Sequence, residues 1–251
     1  MRLTAVTVAF GWAALHAQMV EVRPFAVGEK LSYNAHAGPG VNGRAEMWVD
    51  GPIEMRGVSA IALHSSFMAK IGFLRVTDNS TSWIDPARMA SLRFVKQERH
   101  LLARYDEDVA MSNTSRQWTA QDGRSGTSPS ADPLDELSFI YALRGFALPG
   151  DSTIVLNRHF DAERNPTTLR LVGRAIVTTP AGTFNTREVE MRVRDARRYK
   201  GEGLIRISLS DDQCRRPVRI ESSIPGAGTV MMTLTAAEPV IAACVAGGHQ
   251  P

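Results

Sequence analysis

The sequence predicts a mainly β protein: a large curved antiparallel sheet, or open β-barrel, wrapped around one main α-helix at about residues 133–144. Three observations predict it. Apolar and polar residues alternate with period two through most of the 251 residues, the pattern of strands with one buried face. Gly- and Pro-containing turn signals separate these runs. A single segment, 132–145 (DPLDELSFIYALRG), carries helical spacing and helical end signals instead.

In chain order, Leu31, Tyr33 and Ala35 share one strand face. Ala45, Met47 and Val49 repeat the pattern, with Arg44, Glu46, Trp48 and Asp50 opposite, and Gly51-Pro52 opens a loop running to Gly57. Ile61, Leu63, Ser65 and Phe67 follow. Two short strands are expected at 75–78 and 82–85, then a turn at Pro86 and a strand over 92–95. Residues 99–108 and 110–119 read as a further pair, and Asp122-Gly123 as a hairpin turn. Residues 123–133, rich in Ser, Gly and Pro, read as a surface loop.

In the helix, Asp132 is the expected N-cap, its carboxylate accepting from free first-turn N–H groups. Pro133 suits the first helical position, where its missing N–H costs nothing. Asp135 and Glu136 are first-turn dipole residues, since adjacent helix positions do not face each other as an acid/base pair would. Gly145 is the expected left-handed residue past the C-terminus. The apolar face, with Leu137, Ile140 and Tyr141 toward the sheet, leaves little of the helix for water.

Strands then resume. Leu169 and Leu171 begin one that passes Gly173, a bulge candidate, to Val177. Thr179-Pro180-Ala181-Gly182 is a turn. Val189, Met191 and Val193 point inward against Glu190, Arg192 and Arg194. Ile205, Ile207 and Leu209 repeat this, as do Val218 and Ile220 against Arg219 and Glu221. Pro225-Gly226 turns the chain into Val230, Met232 and Leu234. A sheet patterned in this way has one charged and one apolar face. The apolar face must be covered, by the helix and by curvature of the sheet.

Hydrophobic residues make up 43% of the chain, enough for a substantial core. Lys and Arg number 29 against 26 Asp and Glu, a net charge of +3. These charges are interspersed, which argues against a nucleic-acid partner despite an isoelectric point near 9.1. Residues 1–17 read as a secretory signal, with Arg2 ahead of a short apolar run and Leu15-His16-Ala17 as the cleavage site. That run is too short and soft for a transmembrane anchor. The expected mature chain, 18–251, is a single β-rich domain, periplasmic or secreted. No Cys near the cleavage site offers a lipid anchor. Cys214 and Cys244 are the two cysteines, and in an oxidising compartment they can pair.

Catalytic motifs do not emerge. His36, His64, His100, His159 and His249 are scattered, and His249 beside Cys244 is not a metal site. His159-Phe160-Asp161 reads as an exposed strand face, and Asp211-Asp212 as a turn. Neither a Gly-x-Ser-x-Gly elbow nor a P-loop occurs. No catalytic residue, metal or cofactor is assigned. Met47, Met68, Met89, Met111, Met191, Met231 and Met232 suit either irregular apolar ligands or core gaps. Trp48, Trp83 and Trp118 lie on different strands and form no stacking row.

Several segments together resemble the bacterial domain of unknown function 3108 family: 24–33 (PFAVGEKLSY), 75–78 (RVTD), 135–144 (DELSFIYALR), 179–184 (TPAGTF), 210–212 (SDD) and 216–220 (RPVRI). The resemblance covers about 24–238, and Gln213-Cys214 departs from the usual pattern. It implies an exported envelope protein without an assigned reaction, similar in shape to the open barrels of lipoprotein carriers. Arg75, Asp78, Asp135, Arg144 and Asp211 are the polar residues within those segments. Arg144, ending the helix, either pairs structurally with a carboxylate or binds a ligand head group. The expected ligand-binding set is Arg144, Tyr141, Arg75 and Asp78. The expected function is binding or carriage of an apolar or amphipathic envelope ligand, a lipid or lipid-linked molecule. A structural or assembly factor, and an envelope hydrolase, are the alternatives.

Overall fold

The computed structural model describes residues 24–239 except 39, 73, 101–103, 151–152 and 226–227. Eight strands precede the helix: β1 (Lys30–His36), β2 (Asn42–Met55), β3 (Val58–Ile71), β4 (Leu74–Asp85), β5 (Ala90–Arg99), β6 (Arg104–Met111), β7 (Gln117–Ala120) and β8 (Ser125–Thr127). Then come α1 (Glu136–Leu143), β9 (Thr153–Leu156), a 3-10 turn (Ala162–Arg164), β10 (Thr167–Thr179), β11 (Gly182–Val193), β12 (Gly203–Ser210), β13 (Pro217–Ile224) and β14 (Gly228–Glu238).

All fourteen strands form one sheet, in the order β8-β7-β6-β5-β4-β3-β2-β1-β14-β13-β12-β11-β10-β9. Every neighbouring pair is antiparallel. The first eight strands meander outward from β1. The chain then crosses through α1 to the opposite edge and meanders back, until β14 pairs with β1. Among the described residues the two edge strands, β8 and β9, do not pair with each other, so the sheet curves without closing. Register shifts at Asp50/Ile53 in β2 and Leu171/Gly173 in β10 bend it.

Local differences from expectation have local causes. β2 runs through Gly51-Pro52 as a bulge, and the turn falls at Arg56 and Gly57, both with positive φ. The segments 75–78 and 82–85 merge into β4, because 79–81 keep pairing with both β3 and β5. The expected pair 99–108 and 110–119 is shifted: β5 already extends to Arg99, and its partner is β6. The Asp122-Gly123 hairpin and the bulge beside Gly173 are present. The Pro225 turn leads into Gly226, which lies outside the described residues, as do the leader and Cys244.

The helix starts three residues later than the caps at Asp132 and Pro133 predict. Its N-cap is Asp135, whose Oδ1 accepts from the N–H groups of Leu137 and Ser138 at 3.0 and 2.9 Å. Ser138 Oγ accepts from the Asp135 N–H at 2.8 Å, completing a reciprocal cap. Leu134 instead forms a bridge with His159, which takes it out of the helix. Gly145 is not left-handed; Arg144 is the C-cap, in the right-handed region. Tyr141 and Leu143 are fully buried, and Leu137 nearly so.

Candidate functional site

Cross-strand register places whole rows of side chains on the concave face. Across β9 to β12, Ile154, Leu169, Met191 and Ile205 form an apolar row that meets Ser222 on β13, and across β10 to β14 Leu171, Val189, Ile207, Ile220 and Met232 form another. On β1 to β3 they start the same way and then change. Tyr33, Ala45 and Phe67 lead into Asp78, Glu98 and Tyr105. Leu31, Met47 and Ser65 lead into Ser80, Lys96 and Glu107. The expected rule that charged strand faces point away from the interior therefore fails on β4 to β6. On the other half Arg170, Glu190, Arg206 and Glu221 follow it, making an outer ladder of ion pairs at 3.0, 3.3 and 3.2 Å, while Arg187, in register with the buried Leu209, turns inward and donates to the Leu148 carbonyl at 2.8 Å.

The inward charges meet the N-terminal end of α1. Lys96 Nζ lies 2.5 Å from Glu136 Oε2 and 2.9 Å from Glu98 Oε1. Arg164, on the 3-10 turn, reaches Glu136 at 2.9 Å, Asp195 at 3.0 Å and Glu107 at 3.4 Å. From the β11–β12 connection, Arg198 pairs with Glu98 at 2.6 Å and sits over the Tyr105 ring at 4.8 Å. Arg197 reaches Asp161 at 2.6 Å. This connection thus spans from one half of the sheet to the other.

The protonation states follow from these contacts. Burial raises the Glu136 carboxyl, but Lys96 and Arg164 outweigh it and hold the group well below the usual carboxylate range. Glu98 is likewise lowered, by Lys96 and Arg198 against burial. Lys96 is raised, its three carboxylate neighbours overcoming desolvation. Asp78 is raised by burial, with Lys96 opposing. His159 is driven by burial, and by nearby Arg164, down to about 3. Its Nδ1 accepts from the Asp161 N–H at 3.1 Å. Glu107 Oε2, His159 Nε2 and Arg164 Nε are buried without a hydrogen-bond partner. Glu136, Glu98 and Lys96 are thus held in their charged forms: a carboxylate held ionised is a poor general acid, and an ammonium held protonated is no nucleophile.

The other end of the helix is a closed clamp. Arg144, 1% exposed, forks onto Glu29 at 2.6 and 2.8 Å. It also donates to the carbonyls of Cys214 and Pro24, at 2.9 and 2.8 Å through Nη2. Phe25 and Tyr141 face its guanidinium at 5.4 and 5.7 Å. Of the four residues expected to bind ligand, the structure brings Arg144 and Tyr141 together here. Asp78 lies in the charged row at the other end. Arg75 is exposed on β4, opposite Lys70 in the register.

Glu29, Lys96, Glu98, Glu107, Arg164 and Arg198 carry no motif that marks them in the sequence. Parity was an available signal, since Lys96 and Glu98 share the face of the buried Phe94. His159 and Asp161, read as exposed, are buried. Asp212 behaves as a turn residue, its Oδ1 accepting from Ser210, Cys214 and Arg215. Among the described residues no group of three or more His, Cys, Asp or Glu is placed to hold a metal ion, and no helix is long and apolar enough to cross a membrane.

These features define an open, barrel-like β protein built around a helical crossing. The chain belongs to the family described as "Protein of unknown function (DUF3108)", whose model matches residues 31–235. Its fold is similar to that of a β-barrel-like protein of domain of unknown function DUF1849 from Brucella abortus. The TM-score is 0.57 at 14% identity, over 84% of this chain and 97% of that one. Weaker likenesses are to a "putative lipoprotein" from Parabacteroides distasonis (TM-score 0.36, 11% identity, 85% and 96% covered). A "putative exported protein" with YmcC-like fold from Bacteroides fragilis also matches (TM-score 0.32, 11%, 86% and 97%). No curated protein matches the chain.

Proposed function

We propose that this is an exported envelope protein that binds an amphipathic, lipid-like ligand on the concave face of its sheet. The observation that carries the reading is the division of that face. Ile154, Leu171 and Ile205 on one half are apolar, point inward and are only partly buried. Asp78, Lys96 and Glu98 on the other half are charged and also point inward. Such a surface suits a molecule with an apolar body and a polar end. Asp78, partly exposed, stands among the polar contacts of this reading. Arg144 and Tyr141 hold the wall in place, and a direct head-group contact by Arg144 requires Glu29 to release it. Arg75 lies at the exposed start of the same strand.

Export by the 1–17 leader, one domain over 18–251 and pairing of Cys214 with Cys244 belong to the same proposal. N-terminal sequencing of the chain from the cell envelope is expected to begin after Ala17, and an intact Met1 counts against export. For the ligand, organic extracts of the purified native protein are analysed by mass spectrometry, beside those of a folded Ile205→Asp variant. Lipid in the first and much less in the second is expected. Lipid-free native protein rejects the ligand and leaves a structural or assembly role.

A further inference from the structure

We propose a second binding site on the outer face of the sheet, at Trp48, for a neutral or amino pyranose ring of a glycan. Met47 and Val49 are buried on the concave side, so Trp48 between them faces out. Beside it is a groove of about 370 Å³ lined by Gly28, Glu29, Lys30, Glu46, Trp48, Val49 and Asp50, within the size range of small-ligand sites.

The indole is held rigidly. His64 stacks on it with ring centroids 4.7 Å apart and an interplanar angle of 9°. Trp48 Nε1 donates to Asp50 Oδ2 at 3.0 Å. His64 Nε2 lies 3.3 Å from the same oxygen, while its Nδ1 meets Thr81 Oγ1 at 3.0 Å. His64 covers one face of the ring and does not line the groove, so the groove opens on the other side. There Gly28 has no side chain, and nothing stands within 4 Å of where its Cβ would be.

Polar groups flank the platform. Lys30 Nζ pairs with Glu46 Oε1 at 3.0 Å, with 44% and 42% of their side chains exposed, and the Asp50 side chain is 60% exposed. Glu46, Trp48 and Asp50 are alternate residues of β2, spanning roughly 13 Å at strand rise. An aromatic face between two carboxylates and an ammonium matches a pyranose. Its C–H face packs on the indole, its hydroxyls donate to Glu46 and Asp50, and one accepts from Lys30. Two carboxylates against one ammonium leave the rim negative, which selects against acidic sugars.

The test titrates the whole mature chain with cellohexaose, chitohexaose and the glucosamine hexamer, by tryptophan fluorescence and saturation-transfer NMR, with the galacturonic acid hexamer as the acidic comparison. Saturable binding of at least one of the first three is expected, with the acidic sugar weaker. Trp48→Leu is expected to weaken it about tenfold. Because Trp48→Leu removes a packed ring, the Lys30→Met/Glu46→Gln double variant, altered only at exposed positions, is read in parallel and is expected to weaken binding as well. No saturable binding of any of the three sugars overturns the proposal. So does undiminished affinity in the double variant.

Discussion

Replacing Glu29 by Leu tests what holds the helix in the sheet. Arg144 is 1% exposed, and Glu29 supplies both carboxylate oxygens of its fork, at 2.6 and 2.8 Å. The two carbonyls that also accept from Arg144 bring no negative charge. Without Glu29 the guanidinium is a buried, uncompensated cation, and removing one partner of such a pair costs about 3–5 kcal/mol. For a domain of this size each kcal/mol shifts the melting temperature by about 2–4 °C, so a fall of roughly 6–20 °C is expected. The control is the next residue: Lys30 pairs with Glu46 where both side chains are more than 40% exposed, so Lys30→Met is expected to cost about 0–1 kcal/mol. Urea unfolding and calorimetry of the mature protein measure both. A Glu29→Leu/Arg144→Met double variant is expected to regain part of the loss, since no charge is then left buried. A single Glu29→Leu variant as stable as the wild type would refute the clamp.

Leu137 packs in the core at 6% exposure, so Leu137→Ala is expected to destabilise by about 2–5 kcal/mol; an unchanged melting temperature contradicts its placement. His159 is neutral in the fold, with its pKa taken from 6.5 to about 3 by burial. The unfolded chain therefore binds the proton first, and the stability that neutral His159 allows is present above pH 6.5 and lost as pH falls toward 3. At pH 5 the loss is about 2 kcal/mol. A His159→Asn variant is expected to lose that much less between pH 7 and 5 in urea titrations, and an identical pH dependence rejects the assignment. Cys214 and Cys244 are expected to resist thiol labelling in the freshly isolated folded protein until reduced; free labelling of both removes the pairing.

What the sequence determined by itself is what contiguous residues encode. The inward faces of Leu31, Tyr33 and Ala35, and of Val189, Met191 and Ile207, were legible because burial of one strand face imposes period two on neighbouring residues. The single helix was legible from its apolar spacing. Its start was not, because Asp132 and Asp135 are equally good caps locally. The choice falls to Asp135 because Ser82 and Ser91, from two other strands, donate to its Oδ2 at 2.5 and 2.6 Å, while Leu134 is drawn into pairing with His159. Strand order was equally hidden: β14 lies beside β1 only because the helical crossing returns the chain to the far edge. The inward turn of Lys96, Glu98 and Glu107 was the hardest to see. Charged residues on strands face water unless something neutralises them, and here the neutralising groups come from segments far along the chain: Glu136, 40 residues from Lys96, and Arg198, 100 residues from Glu98. Period two sets which residues share a face; which face is buried at a charged position depends on partners that only the folded chain brings within reach.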